Sequence, residues 1–216
     1  MSTTVTQIRD DLWQTRTESP FPGLTTHAYL WRGPRGNILF YSPASDADFE
    51  AIEVLGGVRA QYLSHLDEAG PMLARVADRF GSRLHAPAAE LDAIGRHAPV
   101  DAPVEARRHV DDNGVDAIPT PGHSDGSTCY LVEGVGGEKY LFTGDTMFPA
   151  GDGSWSTFLV PGRGSAADLR SSLQSLATVQ PDIVISSAFG GDSAIETVDT
   201  GRWRQCIAEA LTTVPS

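Results

Sequence analysis

The chain has 216 residues, enough for one domain that buries roughly 70% of its unfolded surface without help from disulfides. Hydrophobic residues at 40%, charged residues at 20% and 22 scattered glycines exclude collagen-like, coiled-coil and disordered classes. With 28 acidic residues against 16 basic ones the net charge is -12, a field that repels phosphate backbones and anionic headgroups, so neither nucleic acid nor a membrane is an expected partner.

The first residues, MSTTVTQIRDDLW, lack the basic-then-apolar layout of a secretory leader, and no apolar run approaches the ~18 residues of a membrane span; the expected compartment is the cytoplasm. Tyr29–Trp31 and Ile38–Tyr41 are short apolar runs around the turn-forming string Gly33-Pro34-Arg35-Gly36-Asn37 and predict an antiparallel hairpin. Helical spacing follows over Asp48–Leu55, then a strand over Val58–Leu63 that ends at Ser64-His65. Glu68–Phe80 predicts a helix with Met72, Leu73, Val76 and Phe80 on one face, stopped by Gly81. Arg83–Ala86 predicts a short strand, and His97–Val115, broken by Pro99, Pro103 and Asn113-Gly114, an irregular segment at a sheet edge.

Val115–Ile118, Thr128–Val132 and Lys139–Thr143 predict three strands, the last two joined by Gly134-Val135-Gly136-Gly137. A helix over Ala166–Val179 is entered through Ser165, with Asp168 three positions on as in a capping box, and Pro181 forces its end. Asp182–Ser186 predicts a buried strand, and Thr200–Thr212 an amphipathic closing helix with Trp203, Ile207 and Leu211 inward. Cys129 and Cys206, in a predicted strand and helix, are too few for a disulfide framework and read as buried thiols. This order predicts one domain over 1–216 of the α+β class, an αββα sandwich: two mixed β-sheets packed face to face with helices on the outer faces.

Sites in layered folds sit in the loops at strand ends. Three loops here follow predicted strands and present polar residues: Ser64-His65-Leu66-Asp67-Glu68, Pro121-Gly122-His123-Ser124 and Thr143-Gly144-Asp145-Thr146. Imidazoles and carboxylates converging on one point hold a metal ion, and the set offers His65, Asp67, His123 and Asp145. Each has a bland reading beside this one. His123 can cap a turn, Asp145 can bond backbone amides of its own turn, and Asp67 and Glu68 read as helix-opening carboxylates. His27, His85, His97 and His109 have no partner pattern and read as ordinary histidines.

At these residues the chain resembles the metallo-β-lactamase superfamily, whose members carry H-x-H-x-D-H after a strand, then P-G-H-[ST], then G-D-[ST], then a last His. Pro121-Gly122-His123-Ser124 and Gly144-Asp145-Thr146 match, with the paired strands between them. The first segment departs: His65 holds the first position, but Asp67, Ala69 and Gly70 replace its other ligands. No His occurs beyond His123, and the last ligand would fall near Ser186–Gly191. Tyr41 stands where many members have an Asp, and Trp155 where members often have a flap or substrate-contacting segment.

The resemblance implies a reduced site of at most one zinc or iron ion, held by His65, His123 and Asp145, with Asp67 as a fourth ligand or general base. The persulfide dioxygenases of the superfamily use the corresponding positions for one iron. The hydrolases, such as glyoxalase II and lactonases, generally use two metals. Two function classes follow. One is a metal-dependent enzyme acting on a small ester, thioester or persulfide through Asp67, His123 and Asp145. The other is a metal-free relative that keeps the fold for binding or assembly.

Overall fold

The computed structural model describes residues 5–215. The amino-terminal half begins with β1 (Thr6–Arg9) and β2 (Leu12–Gln14), a ribbon of β3 (Glu18–Phe21) and β4 (Leu24–Thr26), and the hairpin of β5 (Tyr29–Gly33) and β6 (Gly36–Phe40). It continues through α1 (Phe49–Val54), β7 (Ala60–Tyr62), α2 (Met72–Phe80), β8 (Arg83–Pro87), the one-turn α3 (Leu91–Ile94) and β9 (Ala102–Val104). Seven of these strands make one sheet in the order β1-β2-β5-β6-β7-β8-β9. Pairing is antiparallel up to β6 and parallel beyond it, where each return is made through a helix, the connection that parallel neighbours require.

The second half contains β10 (His109–Val110), β11 (Asp116–Pro119), β12 (Thr128–Glu133), β13 (Lys139–Gly144), β14 (Phe148–Pro149) and β15 (Trp155–Ser156). After α4 (Ala166–Leu176) come β16 (Ile183–Ser186), β17 (Ala188–Phe189), β18 (Ile195–Thr197) and α5 (Thr200–Thr213). The second sheet runs β10-β11-β12-β13-β16-β18, while β17 leaves it to pair with β4. That last pairing joins the two halves beside the site.

Strand periodicity explains the layers. Tyr130 and Val132, Tyr140 and Phe142, Ile183 and Ile185 face the first sheet, where they meet Tyr29, Phe40 and Tyr62 in one buried cluster. The residues between them, Cys129, Leu141 and Val184, face the other way into a second cluster with Leu169 and Leu173 of α4 and Trp203 and Ile207 of α5. Both faces of the central strands are covered, so the chain forms the expected αββα sandwich. Asp11 fastens the sheets: fully enclosed, it accepts hydrogen bonds from Trp31 Nε1 at 3.3 Å, Tyr140 Oη at 2.9 Å and the Val135 amide at 2.8 Å.

Several boundaries differ from expectation. The helix expected from Glu68 begins at Met72, because Gly70-Pro71 interrupts it and Leu66–Glu68 form a separate 3-10 turn. The helix from Ala166 is capped by the Ser165 side chain as expected, but stops at Leu176, ahead of Pro181. The segment 97–115 contributes β9 and β10, which are the edges of the two sheets. Cys129 and Cys206 are buried free thiols. Among the described residues, no helix is long and apolar enough to cross a membrane.

Candidate metal centre

His65 leaves the end of β7 in extended conformation, just before the 3-10 turn. That turn folds Glu68 back, so that its buried carboxylate accepts the Ser64 amide at 2.8 Å and the Ser64 hydroxyl as well. With its proton given to Glu68, Ser64 Oγ has a lone pair for His65 Nδ1 at 2.8 Å, and Glu68 Oε1 lies 3.4 Å from the same nitrogen. The neutral His65 ring therefore carries its proton on Nδ1 and presents a bare Nε2. Glu68 stands in the first turn of a short 3-10 helix, as its reading as a helix-opening carboxylate has it, and it also supports His65.

His123 is delivered by a turn that requires Gly122. This glycine has φ +143°, and a Cβ there would lie 2.4 Å from the Leu169 backbone at the start of α4. His123 Nδ1 donates to the Phe158 carbonyl at 2.8 Å, which leaves its Nε2 bare too. Asp145 follows β13, with Oδ1 accepting from the Ser187 hydroxyl. Its Oδ2 lies 3.5 Å from His65 Nε2 and 4.0 Å from His123 Nε2, and the two imidazoles stand perpendicular with centroids 4.7 Å apart.

His65, His123 and Asp145 thus converge, with one ligand atom from each inside 4.8 Å. Among the described residues, both Nε2 atoms are buried and have no hydrogen-bond partner, an arrangement that a cation satisfies and an apolar core does not. The donor set fits a metal ion. The crowding of these groups also shifts their protonation equilibria. Burial pulls the His65 imidazolium down, but Glu68 and Asp145 outweigh it and hold the ring well above the ordinary histidine value. Burial and the neighbouring His65 charge depress His123. Burial would raise Asp145, yet His65 dominates and brings it to about 2, while burial holds Glu68 above the ordinary carboxylate range. A proton shared among these groups competes with a cation for the same lone pairs.

The centre forms the floor of a cavity of about 750 Å³. Asp67 is on its wall, exposed, outside the converging group. Tyr41, buried with φ +68°, accepts the Gly144 amide at 2.9 Å and donates to the Ile185 carbonyl at 3.1 Å, bracing the turn that carries Asp145. Near the position expected for a last histidine, Ser187 holds Asp145, and Phe189 stacks on His27 at 5.4 Å. Trp155 is not a substrate-contacting residue: it is fully buried, packs in the second core cluster and donates to Glu196 at 2.7 Å. Phe158, three residues on, is 55% exposed and lines the cavity instead. His27 also lines it, a placement made by the pairing of β4 with β17 and signalled by no local motif.

The pattern of the metallo-β-lactamase superfamily matches residues 51–188, a span that includes His65, His123 and Asp145. The chain belongs to the metallo-β-lactamase superfamily. Solved metallo-β-lactamase structures share its fold. One, from Cronobacter sakazakii and described by its HARLDQ motif, is 21% identical, with a TM-score of 0.63 over 86% of this chain and 78% of that one. The Rm3 metallo-β-lactamase is 17% identical with a TM-score of 0.69, covering 97% of this chain and 91% of its own. DIM-1 metallo-β-lactamase exposed to ceftazidime is 15% identical with a TM-score of 0.72 over 96% of each. No curated protein matches the chain.

Proposed function

We propose that this metallo-β-lactamase superfamily member is a mononuclear metal-dependent hydrolase of small esters or thioesters. The observation that carries the reading is the pair of buried, unpartnered Nε2 atoms of His65 and His123 facing Asp145 at the floor of a cavity. A zinc ion held by these three groups would polarise a carbonyl and lower the pKa of bound water toward ~7. The chain does the rest. Ser64 with Glu68 and the Phe158 carbonyl hold the two imidazoles in their ligand tautomers, Ser187 orients Asp145, and Asp67, the exposed carboxylate of the wall, takes the proton-transfer role. The test is metal analysis of protein purified without chelator, paired with hydrolysis of an ester and thioester panel. At most one equivalent of metal and turnover that falls with its removal are expected; two equivalents per chain would refute the stoichiometry.

Two histidines and one carboxylate are also the ligand set of mononuclear non-haem iron, which supports a second reading, an iron-dependent oxygenase acting on a persulfide. Oxygen uptake with glutathione persulfide separates the two. Wild-type protein with neither metal nor turnover in either assay makes the metal-free binding protein the better account.

A further inference from the structure

We propose that the cavity selects an uncharged substrate with an apolar body and one hydrogen-bond donor, an O–H or N–H, which His27 receives. The reaction assigned to that substrate rests on the hydrolase reading above; its recognition does not. Three observations carry it. The first is the wall, which is built of apolar groups that include Leu24, Pro43, Met72, Phe148, Phe158 and Ala188. A site of about 750 Å³ with such walls gains affinity by removing hydrocarbon from water.

The second is the charge lining it. Among the described residues, no arginine or lysine lines the cavity, whereas Asp67, Glu68 and Asp145 do. A carboxylate entering apolar surroundings loses hydration that only a paired cation restores. Away from the floor, no such cation stands on these walls, and the chain's net charge of -12 adds a repulsive field. Glutathione conjugates and other substrates that carry a carboxylate at a distance from the reacting carbonyl are therefore disfavoured.

The third is His27. Its Nδ1 lies 2.8 Å from the Thr15 carbonyl and 3.1 Å from that of Arg16. Both oxygens only accept, so Nδ1 carries the hydrogen, and Nε2 of the neutral ring is an acceptor. Among the described residues that Nε2 has no hydrogen-bond partner, and His27 is one of the residues that line the cavity. The His27 amide bonds the Ser187 carbonyl at 3.2 Å, and the Ser187 hydroxyl bonds Asp145, so this acceptor is fastened to the segment that orients a metal ligand. Phe189 stacked at 5.4 Å fixes the ring plane. An acceptor held in this way discriminates in favour of a ligand that donates.

The experiment uses three matched nitrophenyl esters at pH 8: the octanoate, the 8-hydroxyoctanoate and the monoester of octanedioic acid. The expected kcat/KM for the octanoate exceeds that for the anionic monoester at least tenfold. The hydroxy ester is expected to gain about threefold more through KM, and His27→Phe to remove that gain, read as the ratio of hydroxy ester to octanoate within each protein. Displacement of Nile red from chelator-treated protein by the methyl esters of the same acids reads binding without turnover, and the neutral esters should displace it at least tenfold better than the anionic one. Phe158→Arg, at an exposed position, should raise the relative rate of the anionic monoester. Equal rates or equal displacement for neutral and anionic esters overturn the proposal, and a hydroxy preference that survives in folded His27→Phe overturns the part played by His27. Dye displacement by the neutral esters without hydrolysis of any ester instead overturns the hydrolase reading and leaves this inference standing.

Discussion

A Cβ on residue 144 would lie 2.1 Å from Ser64 Oγ, so the loop that carries Asp145 and the serine that holds His65 can approach only because Gly144 has no side chain. Gly144 also has φ +54°, a conformation that itself costs a non-glycine residue roughly 1–2 kcal/mol. Gly144→Ala must push Ser64 away and with it the hydrogen bond to His65 Nδ1. The expected outcome is a metal affinity at least tenfold weaker and a lower melting temperature, read by chelator competition and thermal unfolding. Unchanged metal affinity would show that Ser64 does not position His65.

His123→Ala should abolish metal binding and turnover together, because it removes one of the two imidazoles and leaves His65 and Asp145 alone. Asp67→Ala should spare most of the metal binding while lowering kcat, since Asp67 is on the wall outside the converging group. Removal of a residue that only supports a ligand typically weakens metal affinity ~10 to 100-fold, so the two variants separate in one titration. Loss of metal in Asp67→Ala equal to that in His123→Ala would make Asp67 a ligand.

Ser187→Ala removes the hydroxyl that fixes Asp145 Oδ1. We expect metal affinity to fall about tenfold, with most of it kept by Ser187→Thr, which retains the hydroxyl. An alanine variant with wild-type affinity would mean that the turn braced by Tyr41 orients Asp145 unaided.

What the sequence made legible was what local geometry demands. Pro121-Gly122-His123-Ser124 and Gly144-Asp145-Thr146 stand out because each follows a predicted strand and presents polar residues, and the structure shows that each also needs its glycine at positive φ, while the apolar run Tyr140-Leu141-Phe142 announces a strand. The strands before residue 27 are three or four residues long, too short for a period to register. The support that Glu68 gives His65 is not legible, because its partner Ser64 is reached only when Gly70-Pro71 stops the turn that a helix pattern would have continued. His27 owes its place to strand pairing between residues more than 150 positions apart, a contact that no window of sequence contains. Trp155 in β15 and Phe158 just beyond it are three positions apart, and which of them turns inward is decided by α5: Glu209 accepts the Trp155 amide at 3.0 Å and the ring enters the second core.

Away from the candidate metal centre, His85 gives the fold a dependence on acid that can be isolated. Its ring stacks on Tyr62 with centroids 4.1 Å apart, and only 11% of the side chain is exposed. Burial lowers its pKa to about 4, against the opposing pull of Asp111 and with help from Arg83. The unfolded chain, with an ordinary histidine near 6.5, therefore binds more protons than the native one between those values. Stability from this residue is fully present above pH 6.5 and drains away as pH falls toward 4. The full shift corresponds to about 3 kcal/mol. His85→Phe keeps a ring against Tyr62 and has nothing to protonate. Urea unfolding at pH 4.5 and 7.5 should show the variant losing less stability than wild type between the two, by about 2 to 3 kcal/mol. Equal losses in both proteins would mean that carboxylates alone set the acid limit of the fold.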